Sequence, residues 1–328
     1  MPDDNTYLPG GPPDGVIGGV PGGVSGGIQE GVRGGVTGTV TRRSERSDST
    51  FTMISSDDNN KLSIRGRGRI EFADDDADVK SLTPGGYLDI EQTTREGTVR
   101  VEFQAQPNGA IQRRWWKNGH ETSFEPEGRA WLKSHLVEIL RRSGLDAEAR
   151  VDRLLRTSGP QAVLAEASLC PSDYVKRVYL TRLLSAQHLD PLTLTSLLAQ
   201  VNREIKSNYD RRVILVAVTV HRLPNDDARL TYIDATRGMR SDYDRRVTLE
   251  ALLKAERLTP PVLRAVLAST MEMHSAYDGR TVLERIVETQ QLPGDLRQLY
   301  IDAADKLRSD YDRSRALSAL SRNETAAR

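Results

Sequence analysis

Ser207-Asn208-Tyr209-Asp210-Arg211-Arg212 returns 34 residues later as Ser241-Asp242-Tyr243-Asp244-Arg245-Arg246, and again as Ser275-Ala276-Tyr277-Asp278-Gly279-Arg280. Ser309-Asp310-Tyr311-Asp312-Arg313-Ser314 follows, and Ser172-Asp173-Tyr174-Val175-Lys176-Arg177 comes before them. The five tyrosines are therefore separated by 35, 34, 34 and 34 residues. Three residues after each stand Arg177, Arg212, Arg246 and Arg280, with Ser314 breaking the column. Six residues after stand Leu180, Leu215, Leu249, Leu283 and Leu317, and nine after, Leu183, Val218, Leu252, Ile286 and Leu320. Steps of three and four put an apolar stripe on one face of a helix. The second half of each unit opens on a cap or a proline: Asp190-Pro191, Pro224-Asn225, Thr259-Pro260 and Pro293-Gly294. Residues 145–328 thus read as an α-helical solenoid of two-helix units about 34 residues long.

The recurrent polar residues have a structural and a functional reading. Ser207-x-x-Asp210 and its counterparts at Ser241, Ser275 and Ser309 match the capping-box spacing, with aspartate in place of glutamate. The hydroxyl accepts from a first-turn amide, and the carboxylate can return to the cap amide. Asp173 to Arg177 and Asp242 to Arg246 are spaced to pair along one helix face. The same residues, brought into line by stacking, could instead form a binding ridge. Its donors would be Arg212, Arg246 and Arg280, with Arg212 and Arg280 the freer two because Asn208 and Ala276 precede them at the pairing distance. The tyrosines read first as packing between units.

Ahead of the helices, residues 49–144 read as an antiparallel sheet with one covering helix. Apolar residues alternate at Leu62-Ser63-Ile64, Ile70-Glu71-Phe72, Leu88-Asp89-Ile90 and Val99-Arg100-Val101-Glu102-Phe103. Pro84-Gly85-Gly86, Glu96-Gly97, Pro107-Asn108-Gly109 and Asn118-Gly119 punctuate them. The helix runs from Arg129 to Arg142, with Trp131, Leu132, Leu136, Ile139 and Leu140 at helical spacing and Gly144 past its end. Trp115 and Trp116, adjacent on a strand, must face opposite ways. One packs inside, and the other is a candidate contact residue. The fold class is α+β.

Residues 1–48 read as a disordered glycine-rich tether. Residues 10–40 hold 13 of the 26 glycines, with Val16, Val20, Val24, Ile28, Val32, Val36 and Val40 at every fourth place. That period suits a helix, but glycine costs about 1 kcal/mol per helical site.

Composition removes several classes. Lysine plus arginine and aspartate plus glutamate each number 46, so the basic excess of a nucleic-acid binder is missing. A lone cysteine, Cys170, excludes an internal disulfide framework. Met1-Pro2-Asp3-Asp4 lacks the basic and apolar regions of a signal peptide, and no run approaches the ~18 apolar residues of a membrane helix. The chain as written reads as cytoplasmic. It would be extracytoplasmic if it is the detached part of a membrane-anchored protein.

Catalytic motifs fail one by one. His120-Glu121 is followed by Thr122, Ser123 and Phe124, so the zinc-protease pattern lacks its second histidine. Gly23-Val24-Ser25-Gly26-Gly27 fits the nucleophile-elbow pattern but sits in the glycine tract. Asp74-Asp75-Asp76-Ala77-Asp78 spaces carboxylates like a calcium loop, yet Val79 and Gly85 stand where glycine and glutamate belong. It reads as a solvated acidic turn. No cofactor and no metal ligand set is expected.

Several stretches together carry a resemblance. They are the Gly-Gly-Val-Pro-Gly-Gly-Val tract at 18–24, Glu71 to Leu82, Pro84-Gly85-Gly86-Tyr87-Leu88, Arg129-Ala130-Trp131-Leu132, Ala162 to Glu166, and Ser172-Asp173-Tyr174-Val175-Lys176-Arg177. They resemble the non-catalytic C-terminal region found after BlaR-type bacterial membrane metallopeptidases. Their peptidase part and its zinc motif have no counterpart here, so no catalytic role transfers to any residue. The resemblance implies a sensing or docking module of a bacterial signalling system, binding a protein or peptide, with a membrane metallopeptidase system as the partner in view. The alternatives are a structural spacer accessory to such a peptidase, or a hydrolase with its site in the β domain.

Overall fold

A computed structural model of the chain describes residues 37–43, 50–57 and 59–326. The glycine-rich lead assigned to 1–48 lies outside these residues except for Thr37–Arg43. That stretch is a strand, β1, so the sheet begins earlier than the sequence reading places it.

Two compact units share the chain. One comprises the residues up to Glu71 together with Val79–Gly128; the other comprises Phe72–Asp78 and everything from Arg129 on. The first holds β2 (Thr50–Asp57), β3 (Asn60–Arg67), β6 (Tyr87–Thr94), β7 (Gly97–Ala105), β8 (Ile111–Lys117) and β9 (His120–Thr122), while β4 (Ile70–Phe72) and β5 (Val79–Leu82) form a separate ribbon. The main sheet runs β1-β2-β3-β6-β7-β8-β9, antiparallel throughout. Its register lines up one apolar row: Met53 opposite Ile64, then Ile90, Val101 and Trp115. All five are buried. Gly66 belongs to the same face, and a Cβ there would sit 2.4 Å from the Phe51 ring opposite it, so only glycine lets that ring lie across the strand. Asn118 and Gly119 both take positive φ, the tight hairpin their sequence calls for.

The second unit is helical: α1 (Arg129–Ser143), α2 (Ala147–Ser158), α3 (Pro160–Leu169), α4 (Asp173–Ala186), α5 (Pro191–Glu204), α6 (Asn208–Val218), α7 (Asp226–Arg237), α8 (Asp242–Ala255), α9 (Pro260–Met271), α10 (Ala276–Thr289), α11 (Asp295–Asp305) and α12 (Asp310–Ala326). The helix expected to cover the sheet, α1, groups by its contacts with this unit. Even-numbered helices pack in file from α2 to α12, and odd-numbered ones from α3 to α11. The predicted stripe fills the space between the files: Leu180, Leu215, Leu249 and Leu283, with Leu183, Val218, Leu252 and Ile286, have no exposed surface. Truncating one to alanine would cost about 2–5 kcal/mol.

Helix starts follow the sequence closely. Ser172, Ser207, Ser241, Ser275 and Ser309 each accept an amide from the first turn of the helix they precede. Asp190 and Asn225 do the same for α5 and α7.

The acidic turn Asp74–Asp78 is solvated only in part: Asp74 and Asp75 are exposed, but Asp76 and Asp78 are paired. Asp76 accepts from Arg150 at 2.6 Å and from Arg153 at 2.7 Å, and Asp78 from Arg129 at 3.2 Å. Arg150, 4% exposed, also donates to Glu166 and to the Tyr179 hydroxyl, while Arg141 forks onto Glu166. These interlocked pairs hold residues 72–78 within the helical unit.

Candidate functional site

The tyrosine and arginine columns come together as one ladder along the even-numbered helices. Arg177 lies 5.1 Å from the ring of Tyr174 and 5.7 Å from that of Tyr209 in the next unit. Arg212 repeats this against Tyr209 and Tyr243, and Arg246 against Tyr243 and Tyr277. Arg280 covers Tyr277 at 5.0 Å. Cation–π contacts of this kind contribute about 0.5–1 kcal/mol at exposed sites. The rings stay largely open to solvent even so: Tyr209 is 44% exposed, Tyr243 53%, Tyr277 58% and Tyr311 67%.

Aspartate makes the third column. Arg177 Nε donates to Asp210 at 2.6 Å, Arg212 to Asp244 at 2.5 Å, Arg246 to Asp278 at 2.6 Å and Arg280 to Asp312 at 2.7 Å. Every pair crosses from one unit to the next. The ends of the columns fit this arrangement. Val175 holds the aspartate position of the first unit, where no preceding unit brings an arginine, and Ser314 holds the arginine position of the fifth. Burial pushes the Asp312 carboxyl up, but a side-chain hydrogen bond with Ser309 and the Arg280 guanidinium hold it below the usual carboxylate range.

This geometry corrects the pairing read from the sequence. Asp242 does not hold Arg246: its Oδ2 accepts the amides of His274 and Ser275 at 2.8 Å, ahead of the next unit. Asp173 does the same for Lys206 and Ser207, and the Asn208 side chain for Arg240. The capping aspartates at 210, 244, 278 and 312 serve the arginine of the unit before them. Arg212 and Arg280 are therefore paired, just as Arg246 is. Arg246 and Arg280 have a second acid each, Glu250 at 3.0 Å and Glu284 at 2.7 Å. Burial disfavours the charge on both arginines, and their carboxylates more than offset it, raising their pKa.

Two buried arginines beside the ladder escape sequence reasoning. Arg211 donates to the carbonyls of Ile205 and Ala235, and Arg245 to those of Arg237, Met239 and Ser269. They satisfy carbonyls at and beyond the ends of α5, α7 and α9, where a cation suits the helix dipole. Burial lowers the pKa of Arg211. The signal available was the doubled arginine itself.

On the sheet, Trp115 is 2% exposed and belongs to the core, next to Phe124 and Gly128. Trp116 points the other way and is half-buried, with Arg100 4.7 Å and Arg114 4.8 Å from its ring. Those arginines are held in turn by Asp89, Glu102 and Glu121. Trp116 is thus a packed element of a charged sheet face. A shallow open groove between α3 and α5 is lined by small and polar side chains such as Ala165, Ser168, Ser196 and Ala199.

Among the described residues no group of three histidine, cysteine or acidic side chains is placed to hold a metal ion, and no helix is long and apolar enough to cross a membrane. No family model, curated protein or solved structure matches the chain.

Proposed function

We propose that the chain is a non-catalytic interaction module of a bacterial sensing or regulatory system, binding a protein or peptide along the ladder of its helical repeats. One observation carries this reading: four large aromatic side chains, 44–67% exposed, stand in register across successive units. Tyrosine and arginine are enriched at protein interfaces, tyrosine because it brings much contact area for little lost side-chain freedom and arginine because its planar fork pairs with carboxylates. Stacked repeats favour long shallow contacts over a closed pocket. The resemblance to the region following BlaR-type metallopeptidases points the same way and makes such a peptidase system the partner to try first. The buried Arg150 and its acids Asp76 and Glu166 pair with one another rather than turning toward a cleft.

A random-peptide display library panned against the full chain tests the proposal. Sequences should enrich on the wild type and be lost on the Tyr209→Ala/Tyr243→Ala variant. Enrichment no better than on bare support would contradict it.

The spacer reading rests on a different observation, that every ladder arginine also ties two units together. It expects that same blank result.

A further inference from the structure

The four arginine rungs are built alike, but only two of them carry a second acid. Arg246 and Arg280 each carry two carboxylates, the aspartate of the following unit and a glutamate four residues along their own helix. Arg177 and Arg212 have only the aspartate, each through Nε, and make no other ion pair among the described residues. The register of Glu250 and Glu284 is occupied in the first two units by Thr181 and Val216. The side chains follow suit: Arg177 and Arg212 are 19% and 20% exposed, against 15% and 12% for Arg246 and Arg280.

The surface around Arg212 is also the more apolar. From Tyr209, steps of four, seven and eleven residues lead to Val213, Val216 and Val220 along one stripe. Val213 and Val216 are half-buried, and Val220 is 82% exposed. The matching positions after Tyr243 are Val247, Glu250 and Lys254, and after Tyr277, Thr281, Glu284 and Glu288. The second unit therefore presents its guanidinium end beside an aliphatic strip, and the first beside Val178, Thr181 and Ser185, where the later ones present their own acids.

We propose that an acidic, aliphatic peptide segment binds here, its carboxylates taking at Arg177 and Arg212 the seats that Glu250 and Glu284 take at Arg246 and Arg280. This rests on the interaction reading above and names the partner's chemistry. Arg177 and Arg212 both lie against the ring of Tyr209, at 5.7 and 5.0 Å. An extended peptide advances about 3.4 Å per residue and turns alternate side chains to one face, so two acids two or four residues apart can face both. Guanidinium forks favour carboxylates, and the aliphatic residues between would cover Val213, Val216 and Val220.

The test uses the peptides that display selects on the full chain, and the Val216→Glu variant, which installs in the second unit the acid the later units already have. The selected peptides should carry paired acidic residues among aliphatic ones. A synthetic copy should bind at least tenfold more weakly once its acids are changed to amides. Val216→Glu should weaken binding by a similar factor while the thermal midpoint holds to within a few degrees; Thr181→Glu makes the same test at Arg177 should Val216→Glu fail to fold. Selected peptides without acidic bias, or affinity unchanged in Thr181→Glu and Val216→Glu, would overturn the proposal and leave the interaction reading standing. No selection at all overturns both.

Discussion

Arg246 Nε donates to Asp278 of the following unit at 2.6 Å, and not to Asp242, which lies four residues before it on the same helix. Local spacing and spatial stacking both offered a carboxylate, and stacking won because Asp242 is held by the amides of His274 and Ser275. A double-mutant cycle from urea unfolding distinguishes the two. Coupling between Arg246 and Asp278 should be about 1 kcal/mol or more, and that between Arg246 and Asp242 close to zero. The reverse order would mean that the units are not joined this way.

Replacing Ser241 by alanine removes the hydroxyl that accepts the Asp244 amide at 3.2 Å. Stability should fall by about 0.5–2 kcal/mol, as for other lost N-caps. A thermal melt showing no loss would remove the capping role.

Glu166 links the acid response to the buried pairs. Burial pushes its carboxyl up, but the hydrogen bonds from Arg141 and Arg150 prevail and hold it below the usual carboxylate range. A carboxylate depressed in the folded state stabilises fully above its unfolded pKa, and loses that contribution as pH falls through the folded value. Stability should therefore decline below about pH 4.5. Glu166→Gln should cost about 1–3 kcal/mol at pH 7, because Arg150 keeps Asp76 but both it and Arg141 lose a charge-assisted hydrogen bond. Its stability should also fall less steeply in acid; parallel pH curves for the two proteins would refute this.

Cys170 is 1% exposed, and burial, with Glu166 nearby, pushes its thiol up to about 11. Iodoacetamide at pH 8 should leave the folded chain unmodified and label it promptly in denaturant. Fast labelling of the native protein would contradict the burial.

What was legible in the sequence was local. The serine caps, the starts of α5, α7, α9 and α11 and the buried leucine column depend on neighbours a few residues away, and they stand where periodicity puts them. Partnerships across a unit were not legible. Asp210, Asp244, Asp278 and Asp312 fit a capping box and a cross-unit rung equally well, and only the offset between columns, with Val175 at one end and Ser314 at the other, favoured the rung. The pairing of Asp76 was hidden because Arg150 and Arg153 lie 74 and 77 residues beyond it. In β1 the alternation of Thr39, Val40 and Thr41 was hidden by the glycine tract that runs into it.

Hydrogen exchange on the full chain, with and without a display-selected peptide, tests the central claim most directly. Bound peptide should slow exchange in α4 and α6 and at the start of α8, around Tyr174, Tyr209 and Tyr243. Protection confined to the sheet around Trp116, or to the groove between α3 and α5, would contradict the assignment of the ladder as the binding face.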